Sequence, residues 1–567
     1  MQKQTYTEIQ KWYEVEGNKL IGNLLYRWKD RINNTDDIFF ILARALFSNE
    51  QKSSDLLKNK SIEVLFSRID SMYEKFVQEA KKEFDDEQLK AILLNFNKYI
   101  DLEQAGMQPR LHIPEGVREL AYSLLDLIEE DKLLQPYSRS GDVLVDCKIN
   151  HPDISLSGIE VRTDEVLISE IKAAIIGENE ENLKVQQENF LNMNLNTIKY
   201  NKVFSMPPMA VNTRFWKESL SNIELINFYA ENNFPGYDDW VNILKVVLDT
   251  QFEKAIFIIQ SGILFSERAK GIRRYLCEKG YVEGVIELPE RLFVGTSITT
   301  NLLILSKNNQ SIKMVDAGDL FEKDRRLNVL DEAHLEVIIE AYHNDSDRSA
   351  AVPFDKIQEN DFSLVPRRYT SKELNLDQYV LLGDVAQIKR GHANVKQLNE
   401  RKSDTDTGMK ILTAGDIHDE FTFENLTSLK NIEANEAGYC VENGDIVFAR
   451  GGGYKSLIIQ NLNDIQVMVN GTLYIITCDK EKMNPYYLQL YLMSEHCSKQ
   501  IESLNGGAVI RFMSIKQLGE LKIPKVTKQE EQELANKYKI ILNKKEVLRL
   551  QKKQLEEETD ELLSEVL

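Results

Sequence analysis

Apolar residues near the start of the chain recur every three or four positions. DDIFFILARALF (Asp36 to Phe47) and DDEQLKAILLNFNKYI (Asp85 to Ile100) both keep this period, which predicts amphipathic helices. No glycine falls between Asn49 and Ala105, so residues 1–107 are expected to form a helical N-terminal domain. After Pro109 the pattern changes. SGDVLVDC, ISLSGIEV, YNKVFSM, KAIFIIQ, VEGVIEL and TNLLILS are short apolar runs of strand type. TDEVLISEIKAAIIG, DWVNILKVVLDTQF and AKGIRRYLCEKG, lying between them, keep a helical period. Such alternation predicts a mostly parallel, doubly wound α/β sheet over residues 108–370. LDEAHLEVIIEAYHN reads as a helical stretch leading into the polar connection HNDSDRSA.

A third texture runs over residues 377–526. YVLLGDVAQIKRG, GMKILTAGDI, VENGDIVFARGGG, SLIIQ and VMVNGTLYIITC are short strands broken by glycine turns, which predicts a mixed α/β domain closed by helices. Residues 527–567 contain neither glycine nor proline, and Thr527 with Glu530 forms a capping box at their start. Leu534, Ile541, Leu548, Leu555 and Leu562 fall at strict seven-residue intervals. This is the pattern of a long helix able to pack as a coiled coil.

Composition adds exclusions. No apolar run approaches the roughly 20 residues of a membrane span, and the first residues lack an apolar h-region, so no membrane partner and a cytoplasmic location are expected. Five scattered cysteines and seven dispersed histidines give neither a disulfide framework nor a metal site. The net charge of −20 lowers the expectation of nucleic-acid binding, although phosphate contacts need only a local basic surface. No phosphate-binding G-x-x-x-x-G-K-[ST] loop, G-x-S-x-G elbow or P-D…E-x-K nuclease constellation occurs. Cutting or translocating DNA would fall to a separate helicase or nuclease subunit.

Several stretches carry a resemblance. They include PRLHIPEGVRELAYSLLDLI, QPYSRSGDVLV, SGIEV, VFSMPPMAV, the long QSGILFSERAKGIRRYLCEKGYVEGVIELPERLFVGTSITTNLLILSK, and VDAGDLFEKDRRLNVLDEAHLEVIIEAY. In this order, from about Met107 to Tyr369, they resemble the modification subunit of type I restriction–modification systems, which are N6-adenine DNA methyltransferases. LGDVAQIKRG, ENGDIVFARGGGYKSLII, MNPYYLQLYLMS and SIKQLGELKIPKVTKQEEQ resemble one target-recognition domain and the following helix of the specificity subunit. The resemblance implies a helical N-terminal domain, a Rossmann-like methyltransferase fold, a target-recognition domain and a C-terminal coiled-coil helix.

It also implies a site, and here the sequence departs from the family. Ser140 and Gly141 stand in the cofactor loop, where Arg139 replaces a glycine. Glu160 stands where an acid holds the ribose of S-adenosylmethionine, and Asn189 where an acid meets its adenine, with Glu188 as that acid if the match slips by one residue. Met206-Pro207-Pro208-Met209 stands where the family has N/D-P-P-F/Y/W, whose side-chain amide or acid polarises the amino group of a flipped adenine. A thioether is a weak acceptor, and Met209 offers no aromatic stacking face. An inactive methyltransferase fold without bound cofactor is the expectation. The alternatives are an active site-specific adenine methyltransferase using S-adenosylmethionine, and a protein-interaction scaffold. Contacts to double-stranded DNA are expected from Lys389 and Arg390, from the glycine-rich loop with Arg450, Gly452, Tyr454 and Lys455, and from Arg511 and Lys516. Lys270, Arg273 and Arg274 are read as backbone contacts or an exposed helix face. A homodimer through the C-terminal helix would supply two recognition domains and a bipartite, palindromic site.

Overall fold

A computed structural model describes residues 3–28, 31–32, 34–48, 59–103, 112–178, 182–195, 199–209, 211, 213–234, 236–294, 298–324, 327–370, 378–418, 421–451, 455–494, 496–498, 500–501 and 513–564. The chain divides into two compact units, residues 1–370 and 371–567.

The first unit is built on nine strands. In chain order they are β1 Lys132–Pro136, β2 Ser155–Glu160, β3 Leu183–Gln187, β4 Lys202–Ser205, β5 Lys254–Gln260, β6 Val282–Glu287, β7 Thr300–Leu305, β8 Ser311–Asp316 and, after a small hairpin of β9 Glu322–Asp324 and β10 Leu327–Val329, β11 Ser349–Pro353. Their order is β11-β8-β6-β7-β5-β4-β1-β2-β3. Neighbours from β3 to β5 are all parallel, and only β7 and β11 run against the rest. β5, β6 and β7 are nearly continuous runs of buried apolar residues, as strands covered by helices on both faces must be. One face is sealed by helices Trp240–Asp249 and Lys270–Glu278, the other by Glu115–Leu125 and Glu332–His343.

The expected strand SGDVLVDC is instead the helix Asp142–Asn150, and the first strand is KLLQP. Val143 through Ile149 are all buried, because this helix and Thr163–Ile176 lie between the sheet and a bundle of N-terminal helices. An apolar run buried all round carries no period that separates helix from strand. Helices Lys3–Trp12, Asn18–Trp28, Thr35–Leu46, Lys60–Glu83 and Asp86–Glu103 form that bundle. Asn34 and Asn59 cap two of them by accepting backbone N–H groups.

The second unit holds β12 Tyr379–Leu381, β13 Ala386–Arg390, β14 Lys402–Ser403, β15 Met409–Leu412, β16 Thr427–Leu429, β17 Ile446–Ala449, β18 Ser456–Ile458, β19 Gln466–Val469, β20 Leu473–Cys478 and β21 Lys522–Pro524. They form two four-stranded sheets, β13-β20-β17-β18 and β14-β16-β15-β19, and the pair β12-β21. Helix Lys528–Ser564, 37 residues long, runs for about 55 Å at 1.5 Å per residue. Ala535, Tyr538 and Leu542 pack it on its own unit. Among the described side chains, the heptad residues Leu534, Ile541, Leu548 and Leu555 are exposed, Leu548 at 65% and Leu555 at 63%, as are Ile540 and Val547. Among the described residues no helix is long and apolar enough to cross a membrane.

Candidate functional site

In a doubly wound sheet the ligand crevice opens where the strand order reverses, beyond the carboxyl ends of the strands. Here that point lies between β1 and β4. The loop after β1 is Pro136 to Gly141 and the loop after β4 is Met206 to Met209. They are tied together by Ser205, whose Oγ donates to the Pro136 carbonyl at 3.0 Å. Topology therefore brings together the two motifs that the sequence singled out 70 residues apart.

The first loop has the backbone of a glycine turn, but only one of its three left-handed positions is a glycine. Tyr137, Arg139 and Gly141 all have positive φ, at 58°, 49° and 74°, a region that costs a side-chain-bearing residue about 1–2 kcal/mol. A Cβ on Gly141 would stand 2.7 Å from Ser169 Oγ, so this glycine is required by close approach as well as by φ.

Each polar group expected to meet a cofactor is met by the chain itself. Glu160 accepts the backbone N–H groups of Arg139 at 3.0 Å, Val161 at 2.8 Å and Arg162 at 3.0 Å. Ser140 Oγ accepts from Asn97 and donates to Asp142 Oδ2 at 3.2 Å. The hydroxyl of Tyr137 donates to Asn242 Oδ1 at 2.6 Å, and burial pushes that phenol up. Asn189 accepts from Leu191 N and donates to the Ser219 carbonyl, both at 3.1 Å, which caps a short turn. Met206 is 2% exposed and belongs to an apolar cluster with Phe204, Leu288 and Phe293, while Pro208 and Met209 are half-buried. The remaining cavity is about 30 Å³, bounded by Asn97, His112, Gln135, Ser138 and Met206 among others, room for one or two waters.

A charged network lies behind this loop. Asp142 pairs with Lys172, whose side chain is wholly buried, and accepts from Asn97 at 3.1 Å, with His112 Nδ1 at 3.6 Å. Burial pushes the Asp142 carboxyl up, but Lys172 and His112 more than offset it and hold it well below the usual range. Arg118 pairs with Asp146 at 3.1 Å and donates to the Ile113 carbonyl at 2.6 Å. The sequence reading missed Asn97, His112, Asp142 and Lys172. One signal was legible: Lys172 interrupts the apolar helix TDEVLISEIKAAIIG, and a lysine there must find a buried partner.

In the second unit Arg390 and Arg450, 60 positions apart, converge on one atom. Arg390 Nε donates to the Gly471 carbonyl at 3.3 Å and Arg450 at 2.9 Å. The Arg450 guanidinium also sits 5.2 Å over the Tyr474 ring, and its carbonyl accepts from Met513 N. Lys389 is exposed beside Arg390. Lys455 donates to the Ile417 carbonyl at 3.1 Å, and Lys516, 88% exposed, stands 4.0 Å from Glu520. Gly452, Tyr454 and Arg511 lie outside the described residues. Residues 371–567 hold 25 of the 70 Lys and Arg and 30 of the 90 Asp and Glu, so this half carries −5 of the −20. The reading of Lys270, Arg273 and Arg274 as one exposed basic face needs correction. Arg273 is buried and donates to the carbonyls of Phe362, Ile263 and Ser266, while its neighbours pair with Asp361 and Glu278.

Comparison with known proteins agrees with this division. The family model for N-6 DNA methylase matches residues 96–378, and that for the type I restriction modification DNA specificity domain matches residues 378–557. The type I restriction enzyme MjaVIII methylase subunit of Methanocaldococcus jannaschii is 25% identical over 430 residues, 67% of this chain and 70% of that protein. The MjaVII methylase subunit of the same organism is 26% identical over 284 residues, 46% and 49% of the two. The chain thus spans about half the length of the latter. A crystal structure of a type I restriction-modification methyltransferase subunit from Streptococcus thermophilus aligns with a TM-score of 0.49 and 21% identity, over 64% of this chain and 86% of that one. The chain is an N-6 DNA methylase family member joined on one polypeptide to a type I restriction modification DNA specificity domain.

Proposed function

We propose that this protein binds a specific double-stranded DNA sequence within a cytoplasmic restriction–modification or phage-defence system, and that its methyltransferase fold is a scaffold without methylation activity. One observation carries the reading: Ser140 and Glu160, expected to hold S-adenosylmethionine, already take hydrogen bonds from the chain's own atoms beside a cavity of about 30 Å³. Met206, in the place of the polarising amide or acid, is buried in an apolar cluster at the edge of that cavity and offers only a thioether. We read the chain as a helical segment 1–107, a methyltransferase-like domain 108–370, a recognition domain 377–526 and a pairing helix 527–567. Lys389, Arg390, Arg450, Lys455 and Lys516, with Gly452, Tyr454 and Arg511, are the proposed DNA contacts. A separate helicase or nuclease subunit supplies any cleavage.

Among the described residues of the pairing helix Ala535, Tyr538 and Leu542 pack on its own unit while Ile541 and Leu548 are exposed, and we assign this exposed apolar face to a second copy. Residues 537–553 carry seven bases and one acid, and residues 556–565 six acids and no base. An antiparallel pair sets each basic stretch on the other's acidic end, with the two-fold near Lys552. A parallel pair would oppose like charges.

A second reading, active adenine methylation, draws support from Glu160 at the end of β2 and from the retained β3-β2-β1-β4-β5 order. Titration calorimetry with S-adenosylmethionine and a DNA adenine-methylation assay separate the two. Neither binding nor methylation is expected, and tight binding with methylated adenine would overturn the scaffold reading. Absence of duplex binding at low salt would remove the DNA-binding reading and leave a protein-interaction scaffold.

A further inference from the structure

We propose that helix Asp86–Glu103 is an internal latch: through Asn97 it occupies the crevice and holds the loop after β1 in place, as a bound ligand would. The inference rests on the reading that no cofactor enters. Asn97 is 2% exposed and its amide donates to both Ser140 Oγ and Asp142 Oδ2. These are the two side chains that link the turn to the following helix. A second N-terminal helix grips the same carboxylate indirectly. Phe39, in helix Thr35–Leu46, lies 5.9 Å from the ammonium of Lys172, which pairs with Asp142. Apolar packing runs alongside, since Val145, Ile149, Leu167, Ile168 and Ile171 share one cluster with the N-terminal helices.

The loop needs such a restraint. Tyr137 and Arg139 both occupy the left-handed region, and strained backbone persists only where its surroundings over-determine it. Beyond the latch, Gln135 Oε1 and Ser138 Oγ are buried without a hydrogen-bond partner. Among the described side chains of the helix, the Asn97 amide is the one that hydrogen-bonds to Ser140 and Asp142. Exclusion of a cofactor then comes from an element outside the sheet, in addition to the arginine at position 139.

Hydrogen exchange on the full chain tests the latch. Asn97→Ala should speed amide exchange at least tenfold both in peptides covering residues 137–142 and in those covering 86–98. Lys98→Ala, whose partner is the exposed Glu14, should change neither. Acceleration confined to the helix, or no acceleration, would overturn the latch. Should Asn97→Ala fail to fold, Ser140→Ala gives the same test from the other side, with faster exchange in 86–98 expected and an unchanged rate fatal to the inference. Millimolar S-adenosylmethionine added to the wild type keeps the two ideas apart. Protection of residues 137–142 by it would defeat the scaffold reading, whereas the response to Asn97→Ala decides the latch.

Discussion

Lys172 and Asp142 form a pair in which neither partner can lose the other cheaply. Removing one member of a buried ion pair leaves an uncompensated charge and costs about 3–5 kcal/mol. Asp142→Ala should therefore lower the unfolding free energy of the first unit by about that amount, read by urea denaturation. The double change Asp142→Leu with Lys172→Met should cost clearly less than the single one; an equal or larger loss would show that the network has no such coupling. Glu436 makes the opposite kind of test in the second unit. Its two hydrogen bonds from Arg401, at 2.6 and 2.7 Å, hold its carboxyl at about 2. A carboxyl depressed in the folded state adds stability that is complete above its ordinary value and lost as pH falls through the folded one. That stability should fade between about pH 4.5 and pH 2. Glu436→Gln should show a flatter fall of Tm over this range than the wild type, and a fall just as steep would assign the acid limit to other carboxylates.

At the scale of elements, strands flanked by turns were legible and elements buried on every side were not. KAIFIIQ and TNLLILS became β5 and β7 because each is a short apolar run between polar breaks, too short for a buried helix. SGDVLVDC became a helix because the N-terminal bundle covers the flank that would otherwise have been polar and shown a helical period. The site divides the same way. The loops around Arg139 and Met206 could be located from the resemblance, but Asn97 reaches them from more than 40 positions away, and no local pattern signals that contact. The C-terminal helix tests the element scale directly. Leu548→Glu with Leu555→Glu should convert the proposed dimer to a monomer in light scattering while leaving Ala535 and Tyr538 packed. Spin labels at Lys537 should lie about 45 Å apart along an antiparallel pair, from 1.5 Å per residue, against about 10 Å for a parallel pair. The shorter distance would reverse the proposed orientation.

For the whole molecule the uneven charge matters more than its total. Residues 1–370 carry −15 of the −20 and residues 371–567 carry −5, so a duplex bound as proposed would meet the less acidic half. Affinity should fall steeply with salt, and removing one phosphate-binding cation should lower the slope of log K against log salt by about 0.9. Lys389→Ala should do this alone in fluorescence anisotropy. Arg390→Ala should also loosen the turn at Gly471, where Arg390 and Arg450 meet, and so weaken binding further at every salt concentration. Equal slopes for wild type and Lys389→Ala would take that residue off the DNA. The crevice lined by Asn97, Tyr137 and Asp142 bears on how the protein is maintained in a cell. A fold completed by a diffusible ligand gains stability with that ligand's concentration, so its abundance follows metabolic supply. On the scaffold reading proposed above, the fold carries its own filling, and starvation for methyl donor should leave its amount unchanged.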